Sequence, residues 1–273
     1  MKILIIGGGN MGLTYAKSFL LSKITTTSDL MILEKSTEKA SSLRDMNMGT
    51  VYTKPDVCLH KADLIILAVK PQDAAMLFSY IKPQVDDQQV YLSIMAGVKI
   101  ETIAQELGAK KIIRAMPNLP AQIGMGMTVF TSNDDVTRIE LVMVQNLINT
   151  TGKSIYVDKE ELIDASTAIS GSGPAYVFFF IDAMMKAAAE LGFNESEAAI
   201  QVNQTFKGAV DLYNKHNFSC KEWIQKVASR GGTTEAAIHT YTDLEVQNDI
   251  IRGVHAAMGR AIELGEEIQI KVD

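Results

Sequence analysis

The chain has 273 residues, 47% hydrophobic and 21% charged, and its 26 Lys and Arg against 32 Asp and Glu give a formal net charge of −6. These charges are spread without a basic block, so nucleic acid and anionic membrane are excluded from the expected partners. The length admits one large domain or two medium ones, either able to bury a core.

The chain opens on MetLysIleLeuIleIle, an apolar run too short for a signal peptide that leads straight into a glycine-rich turn. Lys2 to Ile6 predicts a strand and Leu13 to Leu21 a helix, and Gly7, Gly9 and Gly12 stand between them at G-x-G-x-x-G spacing. Gly7 permits a tight turn, Gly9 lets a pyrophosphate reach the backbone, and Gly12 lets the helix pack closely on the strand, which is the pattern of a dinucleotide site. The plain alternative is a tight strand-to-helix turn with no ligand. Leu30 to Leu33 predicts a second strand that ends in Glu34, about twenty residues past the last glycine, where a carboxylate accepts ribose hydroxyls of NAD. Lys35, Ser36 and Thr37 follow at once with groups suited to a 2′-phosphate. Glu34 repels that phosphate and Lys35 attracts it, so the choice between NAD and NADP stays open.

Ala62 to Val69 predicts a strand buried on both faces, ending at Lys70 and Pro71. Ligands of open α/β sheets lie beyond the carboxyl ends of strands, which puts Ala68, Val69, Lys70 and Pro71 beside a cofactor; the plain reading of Lys70 is a solvated lysine opening a loop. Further strands are predicted at Val90 to Ile94, Lys111 to Ala115, Met125 to Thr131 and Lys153 to Val157, with a helix over Val136 to Asn149. The third last of these strands runs into MetProAsnLeuPro, Met116 to Pro120.

From Asp158 onward strands give way to helix after helix, which places a domain boundary within 158–164 and divides the chain into residues 1–160 and 161–273. Helices are predicted over Leu162 to Ile169, Pro174 to Leu191 with Gly192 as C-cap, Glu195 to Tyr213, Lys221 to Val227 and Glu245 to Glu267. SerGlySerGlyProAlaTyr, Ser170 to Tyr176, is expected to be a small-residue break before Pro174 starts a helix. The apolar run Ala175 to Ile181 is cut by Asp182 and Lys186 and is read as a buried helix at a subunit interface, because these helices carry more apolar surface than a small domain buries alone. Methionines 184, 185 and 258 are read as packing. ArgGlyGlyThrThr, Arg230 to Thr234, offers backbone N–H groups and hydroxyls in place of bulk. Ser229, Thr233 and Thr234 donate to an anion without charge, and a helix starting near Thr233 would favour a carboxylate there. The plain alternative has Thr233 or Thr234 as an ordinary helix cap.

His60, His216, His239 and His255 stand singly, and Cys58 and Cys220 match no metal or redox spacing, so no metal site is expected and a reducing, cytoplasmic setting is.

Taken together, GlyGlyGlyAsnMetGly from Gly7, AlaValLysPro from Ala68, ArgAlaMetProAsn from Arg114, SerGlySerGlyProAlaTyr from Ser170 and the GlyGlyThrThr loop from Gly231 resemble the pyrroline-5-carboxylate reductase family, in family order and over nearly the whole chain. The resemblance implies an α/β Rossmann domain followed by an all-α dimerisation domain that interlocks with a second subunit and completes active sites at the dimer interface. It implies NADPH or NADH as cofactor, held at Gly7, Gly9, Asn10, Met11 and Gly12 and by Glu34, Lys35 and Ser36. Ala68, Val69, Lys70 and Pro71 with Met116, Pro117 and Asn118 would flank the nicotinamide. Ser229, Gly232, Thr233 and Thr234 would hold the carboxylate and ring nitrogen of a cyclic imino acid, with Thr234 as the catalytic hydroxyl. One position departs from the family pattern: the residue before the double glycine is commonly proline and here is Arg230, so the loop lacks a rigid φ.

Two other readings stay open on the residues. A 3-hydroxyacid dehydrogenase shares the two-part architecture but would place a lysine at the helical domain's active face, and no matching motif stands there. A dinucleotide sensor without turnover explains the N-terminal glycines but leaves Ser170 to Tyr176 and the threonine loop unexplained.

Overall fold

The computed structural model describes residues 1–270, with side chains to residue 266. The chain divides into two compact units, one of residues 1–172 with the chain from Ala256 onward, the other Gly173–His255.

The first unit is built on eight strands: β1 (Ile3–Ile6), β2 (Leu30–Leu33), β3 (Thr50–Tyr52), β4 (Leu64–Leu67), β5 (Val90–Ser93), β6 (Lys111–Met116), β7 (Gly126–Ser132) and β8 (Gly152–Tyr156). They form one sheet in the order β3-β2-β1-β4-β5-β6-β7-β8. The six strands from β3 to β6 in this order are parallel, β7 turns antiparallel to β6, and β8 is parallel to β7. Its central strands are almost wholly aliphatic because helices cover both faces. Alternate residues divide between two cores. Leu4, Ile6, Ile65 and Leu67 pack with Phe78, Ile81, Ile103 and Leu107 of α3 (Ala74–Ile81) and α4 (Ile100–Leu107). Ile3, Ile5, Leu64 and Ile66 pack with Tyr15 and Phe19 of α1 (Asn10–Leu21), Leu43 of α2 (Thr37–Asp45) and Val144, Leu147 and Ile148 of α5 (Arg138–Asn149). The strand order runs outward from β1 in one direction and then, through β4, in the other. That reversal puts the carboxyl ends of β1 and β4 side by side at a switch point, the crevice of a Rossmann fold.

Among the described residues no strand follows β8. The first unit continues through α6 (Glu161–Ser166) into a π-helical turn, Thr167–Gly171. The second unit holds α7 (Gly173–Glu190), α8 (Glu195–Lys215), α9 (Cys220–Val227), α10 (Thr233–Asp243) and the start of α11 (Val246–Ile270). Its helices are marked by local signals. Capping boxes open α8 at Asn194 and Glu197 and α9 at Ser219 and Glu222. Gly192, with φ of +100°, follows α7, where the Phe193 N–H reaches back to the Ala188 carbonyl and the Gly192 N–H to Ala189.

Four sequence expectations are corrected. The first helix begins at Asn10, three residues before the apolar run, because Gly9 serves as its N-cap. The strand of Ala62 to Val69 shrinks to Leu64–Leu67. The segment Ser170 to Tyr176 is not a break: helical backbone runs from Glu161 to Glu190, with hydroxyls of Ser166, Thr167 and Ser170 each bonding to the carbonyl four residues back. An 18-residue window of that 30-residue run has a mean hydropathy of 1.2, enough by length and composition to cross a membrane, so Asp182 and Lys186 do not cut it short. Those two side chains pair with each other at 2.6 Å one turn apart.

Candidate active site

Gly7 ends β1 with φ of +110°, and a Cβ there would lie 2.7 Å from the Ala68 carbonyl oxygen at the end of β4. Only glycine closes this turn against the neighbouring strand. A Cβ on Gly12 would lie 2.1 Å from the Gly7 carbonyl oxygen, so the first turn of α1 rests directly on the strand end. Gly9 is different: its Cβ would meet nothing within 4 Å. The space is open where a phosphate would need it. The first helical hydrogen bond of α1 runs from the Leu13 N–H to the Gly9 carbonyl at 2.9 Å, which leaves the N–H groups of Asn10, Met11 and Gly12 ahead of the ladder. α1 carries no acidic residue in its first turn, so its dipole favours an anion at this point.

A cavity of about 440 Å³ opens from this turn, lined among others by Gly7, Gly9, Glu34, Lys35, Ala68, Val69 and Lys70. The structure thus gathers seven of the sequence-predicted cofactor residues around one cleft. Asn10, Met11, Gly12, Ser36 and Pro71 border it in sequence without lining it. The far end is walled by Pro55, Met76, Leu77 and Tyr80, an apolar surface fit for a nucleobase that the sequence reading did not single out. Its signal is weak: Met76, Leu77 and Tyr80 lie on the short helix α3 with no motif to mark them.

Glu34, only 8% exposed, is fixed by two backbone donors: the Gly8 N–H at 3.2 Å and the Ser36 N–H at 2.9 Å. Gly8 must be small for this, since a Cβ would lie 2.5 Å from Leu43 Cδ1 and 3.2 Å from Glu34 Oε2. Ser36 caps α2 by accepting the Lys39 N–H. Lys35 reaches across the cleft mouth to Asp73 at 2.9 Å, and that carboxylate raises the Lys35 pKa above the ordinary lysine value.

Beyond β6, Asn118 ties two segments together. Its Oδ1 accepts the Met127 N–H at 2.8 Å and its Nδ2 donates to the Ser170 carbonyl at 2.9 Å. The second bond has a covalent cause. Proline at 174 has no N–H, so the Ser170 carbonyl lacks its usual donor four residues on, and the Asn118 amide supplies one. Gly171 packs under Met116, whose Cε would lie 2.9 Å from a Cβ. Met116 and Asn118 therefore meet the π turn directly, with Pro117 between them. Below them Arg114, 1% exposed, donates to Glu160 Oε1 at 2.8 Å and to Asp164 Oδ1. Glu160 Oε1 also accepts the Ile100 N–H at the start of α4. A buried guanidinium is tolerated only with such partners, and here it pins the first turn of α6 to β6. The sequence reading quoted Arg114 inside a motif and gave it no role.

In the second unit, Ser229 to Gly232 forms a turn closed by the Gly232 N–H on the Ser229 carbonyl at 2.9 Å, with Gly231 at φ +72° in the third position. A Cβ on Gly232 would lie 2.6 Å from Ser229 Oγ. The Gly231 N–H donates to Glu235 at 2.7 Å. Gly232 is the N-cap of α10, and no side chain caps this helix, so neither Thr233 nor Thr234 is the cap that the plain alternative required. The first bond of the ladder joins the Ala236 N–H to the Gly232 carbonyl, leaving the N–H groups of Thr233, Thr234 and Glu235 ahead of it.

A family model described as "Pyrroline-5-carboxylate reductase dimerisation" matches residues 160–264, and one described as "NADP oxidoreductase coenzyme F420-dependent" matches residues 2–97. The chain is 34% identical to Pyrroline-5-carboxylate reductase 2 of Bacillus subtilis over 97% of its own length and 96% of the relative's. It is 32% identical to the pyrroline-5-carboxylate reductase of Aquifex aeolicus, covering 97% of each. Among solved structures it is similar to the pyrroline carboxylate reductase of Plasmodium falciparum with NADP bound, at 26% identity and a TM-score of 0.88, covering 97% of this chain and 98% of that one.

Proposed function

The chain belongs to the pyrroline-5-carboxylate reductase family, and from that membership we propose that it reduces 1-pyrroline-5-carboxylate to L-proline with NADPH or NADH. The observation that carries the reading is the span of the match, because the named reductases are similar over both the glycine cleft and the GlyGlyThrThr loop. A match over the cleft alone would support nucleotide binding and nothing more.

The division of labour follows residues 1–160 as the dinucleotide-binding part and 161–273 as the substrate and dimerisation part. The open space over Gly9 and the N-terminus of α1 would receive a pyrophosphate, and Met116, Pro117 and Asn118 would stand at the nicotinamide with Ala68 to Pro71. When bound, the reduced nicotinamide supplies hydride to the C=N carbon. The start of α10 would hold the substrate carboxylate through the N–H of Thr233 and the hydroxyls of Ser229 and Thr233. Thr234 would turn its hydroxyl to the ring nitrogen and stabilise the N–H that forms there. A cyclic imine is basic enough to take its proton from solvent or through such a hydroxyl, so the reading needs no histidine or carboxylic acid.

The working form is a homo-oligomer, at least a dimer. Phe178, Phe179 and Ile200 are exposed in the single chain, and the dimerisation family model spans their helices. The apolar run Glu161–Glu190 is read as an interface rather than a membrane span, since its Asp164 is engaged by Arg114 of the sheet. Free Cys58 and Cys220 suit a reducing, cytoplasmic setting. The test is to follow NADH and NADPH oxidation separately with 1-pyrroline-5-carboxylate, expecting turnover with at least one. Cofactor binding without consumption would leave a sensor, and NAD(P)H oxidation coupled only to 3-oxoacids, with NAD(P)+ reduced by 3-hydroxyacids in the reverse direction, would leave a dehydrogenase.

A further inference from the structure

The cleft resolves at its ribose end what the sequence left open. Two kinds of charge line that end of the cleft. The lysines, Lys35 and Lys39, stand on flexible stems at the mouth, and Lys35 is 72% exposed and already paired with Asp73. Glu34 is buried, and its carboxylate is held at both oxygens by the Gly8 and Ser36 N–H groups. These are the backbone donors that a phosphate at this turn would otherwise use. A fixed charge out of water acts more strongly than a solvated one on a mobile side chain, because neither screening nor rearrangement relieves it.

We propose that Glu34 is the cofactor-selecting residue of this chain, accepting the 2′-hydroxyl of NADH and excluding the 2′-phosphate of NADPH. This rests on the reading of the cleft as a dinucleotide site, and it concerns this chain's own turn, Glu34-Lys35-Ser36, not the relatives. Gly8 is part of the device: only a residue without a Cβ leaves its N–H free to reach Glu34 past Leu43. Thus one glycine of the turn serves the selector while its neighbour Gly9 leaves room for the pyrophosphate.

The test is titration calorimetry of the full-length protein with NADH and with NADPH, needing no turnover. NADH is expected to bind more tightly by on the order of tenfold or more. Glu34→Gln keeps one acceptor oxygen and removes the charge, so it should weaken NADH slightly, strengthen NADPH and bring the two dissociation constants together. The wild-type comparison stands even if that variant folds poorly. Equal binding of the two cofactors by the wild type, or tighter NADPH, would overturn the proposal, as would a well-folded Glu34→Gln whose preference is unchanged. Binding of neither nucleotide would instead overturn the dinucleotide reading of the cleft, and with it the proposed reductase activity.

Discussion

In the sheet unit every residue of β1, β2, β4 and β5 is buried, whereas between Gly173 and His255 only Ala198 and Val202 are. The sheet unit makes its own core on both faces. The helical unit has long helices and little of its own interior, and its elements are held by what lies along the chain: two capping boxes, a glycine at the end of α7 and a glycine-led start to α10. Burial specifies the first unit and local signals specify the second, which leaves a broad apolar surface for another copy to cover. Nucleotide binding should therefore be a property of the single chain and turnover a property of the assembly.

The sharpest way to break that contrast is a charge on the uncovered helical face. Phe179 is 71% exposed on α7, and Phe179→Glu should shift the protein to monomer by light scattering and abolish measurable turnover. The dissociation constant for NADH should stay within about twofold, since distant sites act independently. A dimer of normal activity would mean that this face is not the subunit interface.

Thr234→Ala probes the loop itself and should cost on the order of a hundredfold in turnover, the usual loss for one oriented donor in a water-poor site. Because the proposed role of the hydroxyl is to serve the forming N–H, the loss should fall on kcat more than on KM. Melting temperature should barely move, for Gly232 and not a threonine caps α10. A destabilised variant with unchanged turnover would place the chemistry elsewhere.

Why some of this was legible in the sequence and some was not follows from the same contrast. Strands β1, β2 and β4 are unbroken apolar runs because both their faces are covered, so composition alone marked them. Strand β3 is three edge residues, and α2 buries only Ala40 and Leu43 among polar neighbours, so neither left a pattern. SerGlySerGlyPro reads as a break because small residues and proline disfavour helix locally. The helix survives because hydroxyls satisfy its carbonyls and Asn118, 52 residues earlier in the chain, covers the one that Pro174 leaves open. At the site, the glycine spacing was readable because it is a backbone requirement within one turn. The bond from the Gly8 N–H to Glu34 and the Arg114 ion pairs join segments far apart in sequence, and no local spacing announces them.

The smallest expected effect belongs to Arg230. It occupies the second position of the turn from Ser229 to Gly232, and Gly231 in the third has φ of +72°, the combination in which proline is favoured second because its φ is already set. The Arg230 N–H makes no hydrogen bond among the described residues, so proline would remove no donor in use. Arg230→Pro should then stabilise the protein by about 0.4–1 kcal/mol, chiefly by narrowing the unfolded chain. That corresponds to a rise of roughly 1–4 °C in melting temperature for a chain of this size. The guanidinium complicates the kinetics, for a positive charge next to the start of α10 also attracts a substrate carboxylate. Arg230→Ala separates the two, since it removes the charge and leaves φ free. If the charge steers substrate, both variants raise KM and only the proline variant melts higher; if the turn alone matters, the alanine variant leaves KM unchanged and the proline variant lowers it by holding the loop in its binding shape. A proline variant that melts lower than the parent would show that the loop does not keep this turn in solution.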